Sequence, residues 1–185
     1  MSLSIASSEE LIASISLNLN RGMNENLLNT LDFCLKSVSL SINDFDRLVA
    51  VTGPGSFTGI RIGVSTIQGI AAGLGKSPLG ISSLDAAALV LKSEKLNVAC
   101  KLRGNMFAFK KYDFSENSFS DYINIKEENL PEDTVFINFK QYDGDVLNLS
   151  KALMHNDFDS FLTDCVPFYM TKSEAEINFD KKSCV

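Results

Sequence analysis

Thr52-Gly53-Pro54-Gly55-Ser56-Phe57-Thr58-Gly59-Ile60-Arg61-Ile62-Gly63 is the stretch on which the reading of this chain turns. Before it, Arg47-Leu48-Val49-Ala50-Val51 is an apolar run long enough for a buried strand and too short for a helix. After the Gly-Pro-Gly turn, Ser56 or Thr58 can cap a helix that continues to about Leu74. Ile60, Val64, Ile67, Ala71 and Leu74 form its apolar stripe, while Gly59, Gly63, Thr66, Gly69 and Gly73 keep other positions small. Each helical Gly costs up to about 1 kcal/mol relative to Ala, so the pattern predicts compensation by close approach of another backbone. Pro78 to Ile81 reads as the next strand, and Ser83 as the cap of a helix through Leu91. Strand, turn, helix, strand, helix predicts a βαβ unit with parallel pairing.

Outward from this unit, Leu3 and Ile5 alternate with serines, Ser7 to Glu10 makes a polar turn, and Leu11 to Leu19 alternates again: a hairpin. Asn24 to Val38 switches to helical spacing through Leu28, Leu31, Leu35 and Val38, with Leu27 and Cys34 widening the stripe. Beyond Leu96 the character changes. Asn97 to Cys100 and Met106 to Tyr112 read as strands around Arg103-Gly104-Asn105, Val135 to Ile137 as a short strand, and Val146 to His155 as a helix before a polar tail from Lys172. The apolar density falls there, which predicts a smaller, less regular second lobe.

Composition excludes several classes of function. The 185 residues carry 17 Lys and Arg against 23 Asp and Glu, a formal charge of −6. A chain this acidic, with no basic block, is poorly suited to bind RNA or DNA alone, because it has few cations to replace the phosphates' counterions. No apolar stretch approaches the roughly 20 residues of a membrane helix, and Met1 to Ser8 does not resemble a signal peptide. The chain reads as cytoplasmic, without membrane contact. One histidine, His155, cannot supply the paired imidazoles of a zinc hydrolase, and Cys34, Cys100, Cys165 and Cys184 form no CxxC pair. No metal site is expected.

A strand, glycine-rich turn and helix in series point backbone N–H groups at whatever sits before the helix, so the turn is either an anion contact or a purely structural junction. It is not a Walker loop, since no Lys-Ser/Thr follows the glycines, and it lacks GxGxxG spacing. Phe57 stands where GxSxG requires its last glycine, which leaves Ser56 a weak nucleophile with His155 as its only base. Arg61 can reach an anion at the turn.

Taken whole, Gly53 to Gly63 closely resembles the motif of the TsaB (YeaZ) family, the partner subunit of the bacterial machinery that makes threonylcarbamoyladenosine in tRNA. Leu27 to Val51 is similar to the family's first helix and following strand, and Ser65 to Leu84 to the helix and strand after the motif. Pro167-Phe168-Tyr169-Met170 resembles a late Pro-x-Tyr segment. The likeness covers Ser2 to Leu91 and is weak from Leu96 apart from that segment. It implies an actin-like, RNase H-like (ASKHA) α/β fold of two lobes, here residues 1–93 and 94–185. It also implies a non-catalytic scaffold and activator subunit of the N6-threonylcarbamoyladenosine (t6A37) synthesis complex. The expected partners are a TsaD-like catalytic subunit and a TsaE-like ATPase, with a homodimer when alone and tRNA reached only through the complex. No cofactor is expected on this chain alone, ATP or ADP entering at the level of the complex. Gly53, Pro54, Gly55, Ser56, Phe57, Thr58, Gly59 and Arg61 are then the motif and candidate phosphate-contacting turn. Leu27, Leu28, Leu31 and Leu35 on one helix, with Gly63, Thr66, Gly69 and Gly73 on the next, are the candidate partner surface, able to pair with an equivalent pair in a four-helix contact. The alternative is that both helices are core. A different class of function also stands: a nucleotide-dependent acyltransferase or glycoprotease-like peptidase (the group is also named M22) acting at the Gly53–Gly59 turn.

The departures from the family pattern carry expectations of their own. Family members open on a strand ending in an Ile-Asp-Thr-like stretch. Counting back from Gly53 without gaps puts Ser2 to Ile5 on the second strand, so the opening strand and its Asp are expected to be missing. Placing Leu3 to Ser7 on the first strand instead puts Ala6 at the Asp. Met23 stands at the family's His before the first helix, and Cys100 at a later Asp. These losses argue against catalysis. Without that strand, either the hairpin docks directly on Leu48 to Val51 or sheet edges stay unpaired, with poor solubility or marginal stability.

Overall fold

The computed structural model describes residues 1–19, 22–91, 93–137, 152 and 157–171. In chain order it contains β1 (Ser2–Ala6), β2 (Leu11–Ser16), α1 (Met23–Ser37), β3 (Val49–Gly53), α2 (Phe57–Leu74), β4 (Leu79–Ser82) and α3 (Ser83–Leu91). Then come β5 (Lys95–Lys101), β6 (Met106–Asp113), β7 (Ser118–Phe119), β8 (Ile123–Lys126), β9 (Thr134–Ile137) and β10 (Thr163–Asp164). The helix expected at Val146 to His155 and the tail from Lys172 lie outside the described residues, apart from Ala152.

The predicted βαβ unit is present. β3 and β4 pair in parallel, Val49 opposite Leu79 and Val51 opposite Ile81, with α2 as the crossover. β10, from late in the chain, pairs antiparallel with the far edge of β4, so the sheet runs β10-β4-β3. The second sheet runs β7-β6-β5-β9, with β8 also against β6. Side-chain alternation splits β5 and β6 between two cores. Val98, Cys100, Ala108 and Tyr112 face one cluster, and Ala99, Phe107 and Phe109 face the other.

The larger cluster is organised by α3. Its sequence is apolar on every side but for Asp85, and a helix of that kind must be buried all round. Residues Ser83 to Leu89 are buried without a break, between β3 and β4 on one side and β5 and β6 on the other. Phe158 and Phe161 close the same cluster from late in the chain.

Three expectations are corrected. Ser82, not Ser83, caps α3: its Oγ accepts the Asp85 N–H at 3.1 Å, while Ser83 is the first helical residue and donates its hydroxyl to the Pro54 carbonyl at 2.6 Å. On α1 the innermost residues are Thr30 and Cys34 rather than the leucines; Leu27, Leu31 and Leu35 are half-buried and Leu28 is 55% exposed. Among the described residues no other backbone approaches Gly63, Gly69 or Gly73, since a Cβ built on any of them would meet nothing within 4 Å.

The hairpin forms as read, Leu3 opposite Ile15 and Met1 exchanging backbone bonds with Leu17. It makes a two-stranded sheet of its own and does not pair with β3. Of the two outcomes set out for the N-terminus, direct docking on Leu48 to Val51 is therefore not the one seen. Among the described residues, β3 has β4 as its strand partner and none on its other edge.

The tightest point in the β10-β4-β3 sheet is Gly80. A Cβ there would lie 2.6 Å from both the Asp164 carbonyl oxygen and Thr52 Cγ2. Gly80→Ala is expected to push β10 off β4 and lower stability by about 1–3 kcal/mol. Urea unfolding followed by circular dichroism measures this; a midpoint equal to the parent's would contradict it.

Candidate functional site

β3 delivers the chain into the glycine-rich turn, and the turn is held from three directions. The Gly53–Pro54 peptide is cis. Gly53 has φ +117°, and a Cβ there would sit 2.6 Å from the Phe168 carbonyl oxygen and 2.8 Å from Ile60 Cδ1, so only glycine fits. The Pro54 carbonyl accepts from Ser83 Oγ at 2.6 Å, with Cys100 Sγ 3.8 Å away. Gly55 and Ser56 then emerge to the surface, where Ser56 Oγ accepts the Gly59 N–H at 3.3 Å as the α2 N-cap. Thr58, the other capping candidate, lies inside the helix. The Ser56 hydroxyl is thus occupied in capping, and His155, its only candidate base, lies outside the described residues.

The late segment lies across this junction as a strap. The Phe168 N–H donates to the Thr52 carbonyl at 2.8 Å. The Tyr169 ring stacks on Phe57, centroids 4.3 Å apart and 18° between planes. Arg61 lies over Phe57 at 4.2 Å from the ring centroid and donates through Nε to Tyr169 Oη at 3.0 Å. β8 grips the strap from outside: Asn124 Nδ2 donates to the Met170 carbonyl at 2.9 Å. Of the sequence-derived candidates, Gly53, Phe57, Gly59 and Arg61 are gathered here with Tyr169. Leu27, Leu28, Leu31 and Leu35 lie on α1, and Gly63, Thr66, Gly69 and Gly73 farther along α2.

Behind the turn is a feature that motif reading missed. Asp85 is 2% exposed, and its Oδ1 accepts from Lys110 Nζ at 2.9 Å and Tyr112 Oη at 2.7 Å. Its Oδ2 accepts from Tyr122 Oη. The Lys110 ammonium also lies 4.2 Å from the Tyr122 ring centroid and 5.1 Å from that of Tyr112. Tyr122 in turn packs on Phe168 of the strap, 4.9 Å between centroids. Two sequence signals pointed here: a single charge in an otherwise apolar helix, and a lysine between Ala108 and Tyr112 on the inward register of β6. Burial raises the Tyr112 and Tyr122 pKa values, with the Asp85 charge adding to it. Burial alone pushes the Cys100 thiol up to about 12, which leaves it inert at neutral pH. No trio of His, Cys, Asp or Glu stands close enough to hold a metal among the described residues.

The parallel βαβ unit joined to a second mixed sheet, with a glycine-rich turn at its head, defines an actin-like α/β protein. A solved structure of YeaZ from Pseudomonas aeruginosa superposes on 91% of this chain and 93% of its own, with a TM-score of 0.73 at 17% identity. The family model described as TsaD, tRNA N6-adenosine threonylcarbamoyltransferase, matches residues 11–107, and the chain belongs to this TsaD/TsaB (YeaZ) family. The tRNA threonylcarbamoyladenosine biosynthesis protein TsaB of Haemophilus influenzae is 40% identical over 62 residues, 34% of this chain and 26% of that protein. The tRNA N6-adenosine threonylcarbamoyltransferase of Ehrlichia canis is 36% identical over 59 residues, 32% of this chain and 17% of its own. These matches span about a quarter or less of the curated relatives' length.

Two outcomes follow from the buried carboxylate. Asp85→Ala strands the Lys110 ammonium and two phenols, and is expected to cost about 3–5 kcal/mol in chemical unfolding; a loss under 1 kcal/mol would contradict the arrangement. The tyrosines give the pH dependence. A folded-state pKa raised above the unfolded value of about 10 means the folded form holds its protons longer, so stability is intact below pH 10 and falls as pH rises beyond it. Tyrosinate absorbance should show Tyr112 and Tyr122 ionising only as the chain unfolds, with Tyr112→Phe/Tyr122→Phe removing that late step.

Proposed function

We propose that this chain is a non-catalytic scaffold and activator subunit of the complex that makes N6-threonylcarbamoyladenosine in tRNA, working in the cytoplasm. It binds a TsaD-like catalytic subunit through the outer faces of α1 and α2, pairs with itself through the same faces when alone, and acts alongside a TsaE-like ATPase. The observation that carries this reading is the open face of α2. Glycine is a poor helix former, yet Gly63, Gly69 and Gly73 have free space where their side chains would be. α1, which packs on α2, exposes Leu28 at 55%, with Leu27, Leu31 and Leu35 half-buried, while Phe33, 62% exposed, sits beside Ile15 and Leu17. A small-residue ridge next to an apolar one suits close packing of a second helix pair.

Support for a scaffold rather than an enzyme comes from the turn. Its serine is engaged in capping, the Pro54 carbonyl accepts from the buried Ser83 hydroxyl, and the strap covers Gly53. The alternative, an acyltransferase or peptidase at Gly53–Gly59, would require Ser56 to leave its cap. Nucleotide belongs in this reading to the assembled complex rather than to this chain alone.

Replacing Gly69 or Gly63 by Leu is expected to abolish association with the catalytic subunit, or self-association, while leaving the melting temperature close to the parent's. Light scattering and pull-down read this directly, and unchanged association would end the reading. With a net charge of −6, the isolated chain should bind tRNA only weakly and without specificity at physiological salt. Tight, specific retention in a filter-binding assay would contradict a role in which tRNA is reached through the partner.

A further inference from the structure

We propose that Tyr169 is a positioning residue that holds the Arg61 guanidinium as a ready-made fork for a carboxylate of the protein partner, a proposal that rests on the complex-subunit reading above. Arg61 is exposed one turn into α2 and is held there by Tyr169 and Phe57. Its Nε donates to Tyr169 Oη at 3.0 Å, and its Cζ lies 4.2 Å from the Phe57 ring centroid and 5.8 Å from that of Tyr169. Guanidinium has five N–H donors, and the Nε bond uses one, leaving the four donors of the two terminal nitrogens unused by that bond. Their planar pair matches the two oxygens of a carboxylate.

Lys36, Arg47, Lys95, Lys110 and Lys126 each pair with an acid. Among the described residues Arg61, like Lys76, Lys101 and Lys111, has no carboxylate partner, and of these it is the one with a planar fork that fits a carboxylate. It heads the ridge Arg61, Ser65, Gly69, Gly73, spaced by four along α2 and so in line on one helix face. It also lines an open groove of about 300 Å³ with Ser65, Gln68 and Pro167. Gln68 is itself tied down, its Nε2 donating to the Cys165 carbonyl at 2.7 Å. A partner helix laid on the small-residue ridge therefore meets a fixed cation at its end. Packing on the Phe57 ring together with the bond to Tyr169 Oη restricts the side chain before binding, so less rotamer freedom is lost when the ion pair forms. One isolated fork on an acidic chain suits a single carboxylate better than an RNA backbone, whose recognition requires several cations in a row.

The test is the affinity of the full chain for the threonylcarbamoyltransferase subunit of the same organism, by calorimetry at low and moderate salt. Melting temperature and near-ultraviolet circular dichroism serve as the check on folding. Arg61→Ala is expected to weaken binding about tenfold or more, and Arg61→Lys not to restore it. Tyr169→Phe keeps the ring stack and removes the hydroxyl, and should weaken binding severalfold. The double variant Arg61→Ala/Tyr169→Phe should be no weaker than Arg61→Ala alone, because the tyrosine acts through the arginine. Affinity indifferent to Arg61→Ala overturns the proposal, as does a Tyr169→Phe effect that persists without the arginine. A loss of tRNA retention by the assembled complex, with subunit affinity unchanged, overturns it in favour of a phosphate contact. Failure of the wild-type chain to bind the transferase at all overturns the complex-subunit reading and this proposal with it.

Discussion

The Asp85 carboxylate is the interaction on which the rest of the structure depends. It is a buried charge on the helix that both sheets pack against, and every donor that neutralises it comes from the second sheet and its outer edge. Lys110 and Tyr112 belong to β6, and Tyr122 precedes β8. A lone buried carboxylate would be prohibitively costly, whereas one with an ammonium and two phenols is tolerated, at the expense of fixing all four groups in one geometry. Apolar packing of Leu84, Leu89, Val98 and Ala108 supplies burial without direction. The ion cluster supplies direction, deciding how α3 is rotated and where β6 and β8 lie over it.

The position of the glycine-rich turn follows from that arrangement. Ser82 caps α3, Ser83 reaches the Pro54 carbonyl, and the same helix then carries Asp85 inward two residues later. Tyr122 meets both the carboxylate and the strap residue Phe168, whose N–H closes on Thr52 at the end of β3. The turn is consequently clasped between the first helix that follows β4 and a segment from the far end of the chain. A backbone in that position can present the first turn of α2 with little freedom, which suits a surface that another protein recognises.

The outer faces of α1 and α2 illustrate a different balance. Helix α2 spends its apolar residues Ile60, Val64 and Ala71 on β3 and leaves its glycines outward. Glycines in a solvent-facing helix contribute nothing to this chain's own stability, and each weakens the helix relative to alanine. Their cost is offset only where something packs closely on them. The exposed Leu28 and Phe33 on the neighbouring helix have the same character: apolar surface left uncovered by the described residues.

Local sequence determined the parallel βαβ unit, the hairpin, the strand pair around Gly104 and the place of the turn. Each of these is set by short-range pattern: period two against period 3.6, and glycine and proline between them. It determined too that Ser56 or Thr58 would cap, although only the folded chain shows Ser56 in that role. The motif residues and the two candidate helix faces were legible for the same reason, since residues spaced by three and four share a face whatever the helix packs on. Tertiary structure alone decided which neighbours they meet. Tyr169 and Arg61 are 108 residues apart, and Asp85 and Tyr122 37 apart; no periodicity links them. Ser82 caps α3, while Ser83, one residue on, donates its hydroxyl to a carbonyl 29 residues earlier. That α1 turns Thr30 and Cys34 inward, and leaves leucine outside, reflects which side β2 and α2 happen to cover. A helix records its own stripe in sequence but not the direction from which its partners arrive.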